Sequence, residues 1–280
     1  TLPFDPSEFP RELKRHYISA TDDDLTRMLG RTDLADLDSV YAHIPISQRF
    51  ENGLTVPDEL SYTDTCSHVA DLASKTNLKP SFIGDMLPVW SVDPVVNFVS
   101  KLRPLSTSYT PYQPERSQGT LVTHWIYQCA LSALTGFEAI NTSLYDRSFA
   151  MYEAITCAIR TNNRPKKILL ASTLFANDIE VLQTLTKETG IEFTFLESDP
   201  TTGLLNYSDL KKMGSSAQEF SAFVFPQVNS LGLLENVDLL SDFCTSAGIR
   251  SIASIDPSLL ATGGLKDPAS YGENGVDYIV

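Results

Sequence analysis

The chain has 280 residues, 42% of them hydrophobic, enough for one large core or two ordinary ones and too many for a disordered protein. Its 35 acidic against 21 basic residues leave a net charge of -14, which repels phosphate backbones and anionic lipid and argues against a nucleic-acid or membrane-surface partner. No apolar run approaches the ~20 residues of a membrane-spanning helix. The opening TLPFDPSEFPRELKRHY lacks the basic start and apolar stretch of a secretory signal, so a cytoplasmic or organelle-matrix chain is expected.

Residues 1 to about 100 read as short helices broken by prolines: SEFPRELKRHYI, TDDDLTRMLGR with its acidic first turn, DLDSVYAHIP and SYTDTCSHVADLASKTN. In the last of these Leu60, Val69, Leu72 and Ala73 share a face, and Ser61 or Thr63 stands where a cap would, which predicts a packed amphipathic helix. The four cysteines, Cys66, Cys129, Cys157 and Cys244, lie far apart in apolar or mixed helical contexts, as expected of reduced, buried thiols. His16, His43, His68 and His124 form no metal-ligand spacing with one another or with cysteine, so no metal site is expected.

From about residue 118 long helices alternate with short β-rich runs, the pattern of an α/β fold. GTLVTHWIYQCALSALTG reads as an apolar helix closed by Gly136, and SLYDRSFAMYEAITCAIRT as a second with Ser143 as its candidate N-cap. Strands are predicted at 166–172, 191–197, 220–226, 249–256 and 276–280, with helices such as NDIEVLQTLTKETG and NVDLLSDFCTSAG between them. Near-continuous apolar strands separated by amphipathic helices imply a parallel sheet covered on both faces. Because the chain ends on a strand-like run, the domain is expected to continue past Val280 and to leave apolar surface that promotes self-association.

Several familiar motifs are missing or trivial. There is no dinucleotide fingerprint after a strand and no P-loop. The Ser-x-x-Lys of SDLK (208–211) is better read as an N-cap serine with a solvated lysine than as an acyl-enzyme pair. The NTS and NYS sequons have no role in a cytoplasmic chain, and Gly263–Gly264 reads as a turn.

Five segments make sense together. YTPYQPERSQGTL (109–121), LTGFEAINTSLYD, NSLGLLENVDLL, IDPSLLATGGLKDPASYG and VDYIV resemble, in this order, the α-type subunit of the glycine decarboxylase P-proteins. Those are the pyridoxal phosphate (PLP) component of the glycine cleavage system. RHYISATDDDLTRMLG, YAHIP and SFIGDMLPVWSVDPVV extend the resemblance over nearly the whole chain. It implies an α/β, fold-type-I PLP-dependent transferase-like large domain, a parallel-rich sheet with helices on both faces. That domain would be incomplete, with 101–280 forming part of it and 1–100 a helical N-terminal region.

PLP chemistry needs a Schiff-base lysine, a carboxylate to keep the pyridine nitrogen protonated, and a helix N-terminus for the phosphate. Asp256, at the end of a strand, stands where the fold keeps its pyridine carboxylate. In SLYDRSFA, however, Arg147 and Phe149 replace the glycine and threonine of the SLYDGATA that relatives resemble. Asp146, Arg147, Ser148 and Asp256 are therefore expected to be vestigial cofactor positions, with Arg147 either filling the pocket or offering charge to an anion. Lys266 comes too early for the Schiff base, whose position the resemblance puts just past Val280, where α-type chains resemble GEGQ and carry no lysine. No catalytic residue and no PLP are expected in this chain; the resemblance places the cofactor in the homologous β-type subunit.

The proline-stiffened run 109–121 resembles the part of the α subunit that faces the neighbouring active site. Thr110, Tyr112, Gln113, Glu115 and Gln118 are the channel or interface residues it implies; the alternative is a buried structural loop whose polar atoms satisfy one another. By resemblance, the complete enzyme decarboxylates glycine and passes the aminomethyl group to the lipoyl arm of the H-protein. Expected partners are thus the β-type P-protein subunit, lipoylated H-protein and glycine. The alternative function is a catalytically inactive PLP-fold protein with a binding or scaffold role, suggested by YDRSFA and FIGDMLPVW, where relatives carry more glycines.

Overall fold

In the computed structural model, which describes residues 21–49, 55–77, 79–80, 91–105, 108–162 and 164–280, the chain divides into two units, 1–80 and 81–280. The predicted helix SEFPRELKRHYI, His16 and the segment SFIGDMLPVW lie outside the described residues.

The first unit is helical wherever it has regular structure. Thr21 caps α1 (Asp22–Arg31) by accepting the Asp24 N–H while the Asp24 carboxylate takes the Thr21 N–H, a reciprocal capping box. Asp22, Asp23 and Asp24 together set three negative charges at the positive end of the helix dipole. Asp36 caps the short α2 (Leu37–Val40), and of the two candidates Ser61 caps α3 (Tyr62–Ser74). The expected packing of α3 is not found: no described residue of the first unit is buried, and Leu60, Val69 and Leu72 are each at least half exposed. Local capping suffices to form these short helices. The cysteines, expected to be buried, are mostly not. All four are free, but Cys66 and Cys129 sit on open helix faces and only Cys244 is buried.

The first described elements of the second unit are α4 (Pro94–Val99) and a 3-10 turn at Arg103–Leu105. The loop 108–117 then leads into α5 (Gln118–Thr135), which Gly136 closes in the left-handed conformation, φ +74°. Gly119 is required by close approach: a Cβ there would run into the carbonyl of Pro104. The next helix, α6 (Arg147–Asn162), starts later than predicted. Its cap is Asp146, whose carboxylate accepts the Phe149 N–H at 2.8 Å, and Ser143 stands apart at φ +59°.

All five predicted strands form, as β1 (Lys167–Ala171), β2 (Glu192–Leu196), β3 (Ala222–Pro226), β4 (Arg250–Ser254) and β5 (Tyr278–Ile279). They pair in parallel in the order β2-β1-β3-β4-β5. The central strands are almost wholly buried, as their unbroken apolar runs require, while edge strand β2 alternates between open and covered positions. Helices α7 (Ala176–Thr186), α8 (Tyr207–Met213) and α9 (Val237–Ala247) fill the crossovers, and helices lie on both faces of the sheet. Met151 and Ile155 of α6, Leu182 of α7, Leu210 of α8 and Leu240 of α9 join Ile168, Phe223 and Ile252 in one core. Asn206, not Ser208, caps α8; Ser208 stands one turn position inside and donates to the Asn206 side chain, while Lys211 is exposed as expected. Gly263 sits in the predicted turn at φ +80°.

Candidate functional site

The loop that precedes α5 is held from within by its backbone. Pro114–Arg116 forms a 3-10 turn. Ser117, completely buried, places its Oγ 2.6 Å from the carbonyl oxygen of Gln113 and 3.1 Å from that of Thr110. Ser108 adds a hydroxyl 2.8 Å from the Thr110 oxygen, and the Gln118 amide donates to the carbonyl of Pro114. Around this hub Tyr112, Gln113 and Glu115 point to solvent, Tyr112 being 86% exposed, while Thr110 is half-buried. The Ser108 and Ser117 hydroxyls, 3.0 Å apart, do the holding together with the carbonyls of Thr110 and Gln113.

At the start of α6 the residues expected at a phosphate site are engaged elsewhere. The Arg147 Nε donates to Asp178 Oδ2 at 2.8 Å and its Nη2 lies 2.6 Å from the same oxygen. Ser148 Oγ donates to Asp178 Oδ1 at 2.6 Å. The guanidinium also stacks over the Phe175 ring, 4.5 Å from its centroid, and Phe149 packs edge-on against Tyr145. Asp178, in the first turn of α7, is completely inaccessible to solvent. Since Asp146 turns its own carboxylate onto the Phe149 N–H in the first turn of α6, an anion would meet a negative group at that helix end.

Asp256 lies two residues past β4, half-buried, and turns its carboxylate onto the following 3-10 turn, accepting from Ser258 N at 2.9 Å and Ser258 Oγ at 2.7 Å. Lys266 is paired with Asp238 at 2.7 Å. That ammonium, with the Gly272 N–H, holds the Asp238 carboxyl below the usual carboxylate range. A cleft of about 660 Å³ opens beside Asp146 and Arg147, bordered by Tyr127 and Leu131 of α5, Arg160 of α6 and Tyr278 of β5. Tested against PLP, these groups do not fit. The helix end is self-capped, Arg147 and Ser148 serve Asp178, Asp256 serves its own turn, and Lys266 serves Asp238.

The crevice at the topological switch point, between the carboxyl ends of β1 and β3, is the usual ligand position of an open parallel sheet. It is filled by the chain itself. Buried Glu235 accepts from Tyr207 OH at 2.7 Å, Asn229 Nδ2 at 2.9 Å, Thr173 Oγ1 at 3.0 Å and Leu205 N at 3.2 Å. Burial, and then the Glu235 carboxylate, pushes the Tyr207 hydroxyl well above its ordinary pKa. Ser117, Asp178 and Glu235 were not singled out from the sequence. A serine at a helix start and an acidic first-turn residue read as ordinary caps and dipole partners, and only tertiary burial shows otherwise. Among the described residues no cluster of metal-ligating side chains occurs, and no helix is long and apolar enough to cross a membrane.

A parallel sheet in this order with helices on both faces is the large-domain architecture of the fold-type-I PLP-dependent transferases. The crystal structure of mouse CSAD shares the fold, with a TM-score of 0.55 at 12% identity over 86% of this chain and 49% of that one. The family is narrower than the fold. Residues 15–279 match the model of the glycine cleavage system P-protein, and the chain belongs to that family. It is 33% identical over 263 residues to the probable glycine dehydrogenase (decarboxylating) subunit 1 of Methylococcus capsulatus, covering 93% of this chain and 57% of that protein. The subunit 1 of Nitrosospira multiformis is 32% identical, with 94% and 58% covered. A crystal structure of an inhibitor-bound glycine decarboxylase P-protein superposes with a TM-score of 0.70 at 28% identity, over 91% of this chain and 56% of that one. The chain thus spans little more than half the length of the curated relatives it matches.

Proposed function

We propose that the chain acts as the α-type subunit of a glycine decarboxylase, supporting decarboxylation of glycine and transfer of the aminomethyl group to the lipoyl arm of the H-protein. Residues 1–100 serve as its helical N-terminal region and 101–280 as part of its large domain, in a cytoplasmic assembly with a β-type subunit. On this reading the β-type subunit holds PLP, which supplies the electron sink for loss of the carboxyl carbon. The carrying observation is the family match over 15–279 combined with a helix end whose anion-binding groups are already engaged. This chain's own contribution is the loop of Thr110, Tyr112, Gln113, Glu115 and Gln118. Its exposed side chains line the substrate channel of the neighbouring subunit. The test is co-expression of the full-length chain with a β-type partner, followed by glycine–bicarbonate exchange with lipoylated H-protein. Exchange that needs both subunits is expected; a β-type subunit equally active alone would overturn the reading.

The 280-residue chain by itself is expected to form no covalent PLP adduct. Borohydride reduction after incubation with PLP, followed by mass spectrometry, checks this; a single stoichiometric pyridoxyl group on any lysine contradicts it.

Self-association of the same chain is also expected. Helix α5 contains no Asp, Glu, Lys or Arg in 18 residues, yet Trp125 is 68% exposed and Ile126 58%. Sedimentation velocity should show mass rising over a hundredfold range of concentration, with Trp125→Glu and Ile126→Glu suppressing it. A wild-type monomer across that range would refute the expectation.

A further inference from the structure

A serine at the N-cap normally turns its hydroxyl inward to accept a first-turn N–H. Ser117 occupies the N-cap position of α5 and makes no such bond. Its hydroxyl faces backwards, between the carbonyls of Gln113 and Thr110, with Ser108 Oγ at 3.0 Å. One hydroxyl hydrogen serves one carbonyl well. The shorter contact assigns Ser117 to Gln113, and Ser108, 2.8 Å from the Thr110 oxygen, serves the other. The result is a ring, 108–117, closed at its neck by two hydroxyls. Pro111 and Pro114 fix φ on either side of Tyr112 and Gln113. The neck is fully buried at Ser117, while the side chains at the tip are exposed. A helix start that forgoes its own cap to close a loop has its one polar group committed to the loop's shape.

We propose that Ser117 is a positioning residue for glycine decarboxylation: through the carbonyl of Gln113, and beside Ser108 which serves that of Thr110, it holds Tyr112 and Gln113 in the arrangement that the neighbouring subunit's substrate meets. This rests on the reading of the loop given under the proposed function. A side chain displaced by about 1 Å from its working position loses rate on the order of a hundredfold, and removing the hydroxyl releases the ring without touching the groups at its tip.

The experiment uses the full-length chain assembled with its β-type partner. Ser117→Ala should lower kcat for glycine decarboxylation by about 10- to 100-fold, with KM for glycine within about twofold and assembly by size-exclusion unchanged. Ser117→Thr, which keeps the hydroxyl, should recover most of the loss. Introduced into Tyr112→Ala/Gln113→Ala, Ser117→Ala should lower kcat by less than about threefold, because its effect passes through those two side chains. Undiminished kcat in Ser117→Ala overturns the proposal. So does an equal further loss in the double-variant background, or failure to assemble, each of which marks a purely structural hub. If Tyr112→Ala and Gln113→Ala are themselves harmless, the loop reading fails; if they are harmful and Ser117→Ala is not, only the positioning role fails.

Discussion

Arg147→Ala is expected to destabilise the sheet-bearing unit by about 3 to 5 kcal/mol, the loss that follows when one partner of a buried ion pair is removed. Asp178 would stay completely buried with Ser148 alone beside it, in the core between α6 and α7. Asp178→Ala should cost less, about 1 to 3 kcal/mol, because the Arg147 side chain is 27% exposed and can swing towards the cleft. The double change to a well-packed apolar pair, Arg147→Met with Asp178→Leu, should recover much of the larger loss. Urea unfolding of the wild type, the two alanine variants and their combination Arg147→Ala/Asp178→Ala gives the coupling directly, with the apolar pair measured beside them. An Arg147→Ala midpoint corresponding to less than about 1 kcal/mol would show that the pair contributes little. The same geometry predicts that Arg147→Gly does not by itself create a phosphate site, since Asp178 then faces it without a counter-charge and Phe149 stays in place.

The second large effect is on catalysis. Tyr112→Ala or Gln113→Ala in the full-length chain is expected to lower glycine decarboxylation by the assembled complex while leaving fold and assembly intact. Loss of one fixed polar group at a reacting centre costs ~1 to 4 kcal/mol of transition-state stabilisation, roughly 10- to 1000-fold in rate. Both side chains are exposed and neither takes part in closing the loop, where the Gln113 contribution is its backbone carbonyl. A purely structural loop predicts lowered melting temperature with normal turnover per complex. Activity and melting measured on the same preparations separate the two, and unchanged turnover in both variants would remove the channel role.

The sheet was legible because its strands are short apolar runs bounded by helices that end in glycine. Gly136 and Gly248 both close their helices in the left-handed conformation. Element type is a local property there, and burial on both faces demands the composition seen. Caps were less legible: Asp146 displaced Ser143, and Asn206 displaced Ser208, by choices of two or three residues that depend on where the preceding chain turns. The packing of α3 was not legible at all, since a stripe of apolar residues states a capacity for burial and not the presence of a cover. Within the candidate site, the departure at Arg147 and Phe149 could be seen in sequence, but the direction of the guanidinium could not. Asp178 lies 31 residues away in the chain and reveals itself only through contact with Arg147.

The charge-free helix α5 has a consequence for the cell. An exposed apolar helix is the kind of surface that chaperones retain and proteases clear, and such triage changes abundance several-fold for stability differences of about 1 to 2 kcal/mol. Chain that leaves Val122, Trp125 and Ile126 open would therefore be removed first, and a partner that covered them would set its steady-state amount without any dedicated regulator.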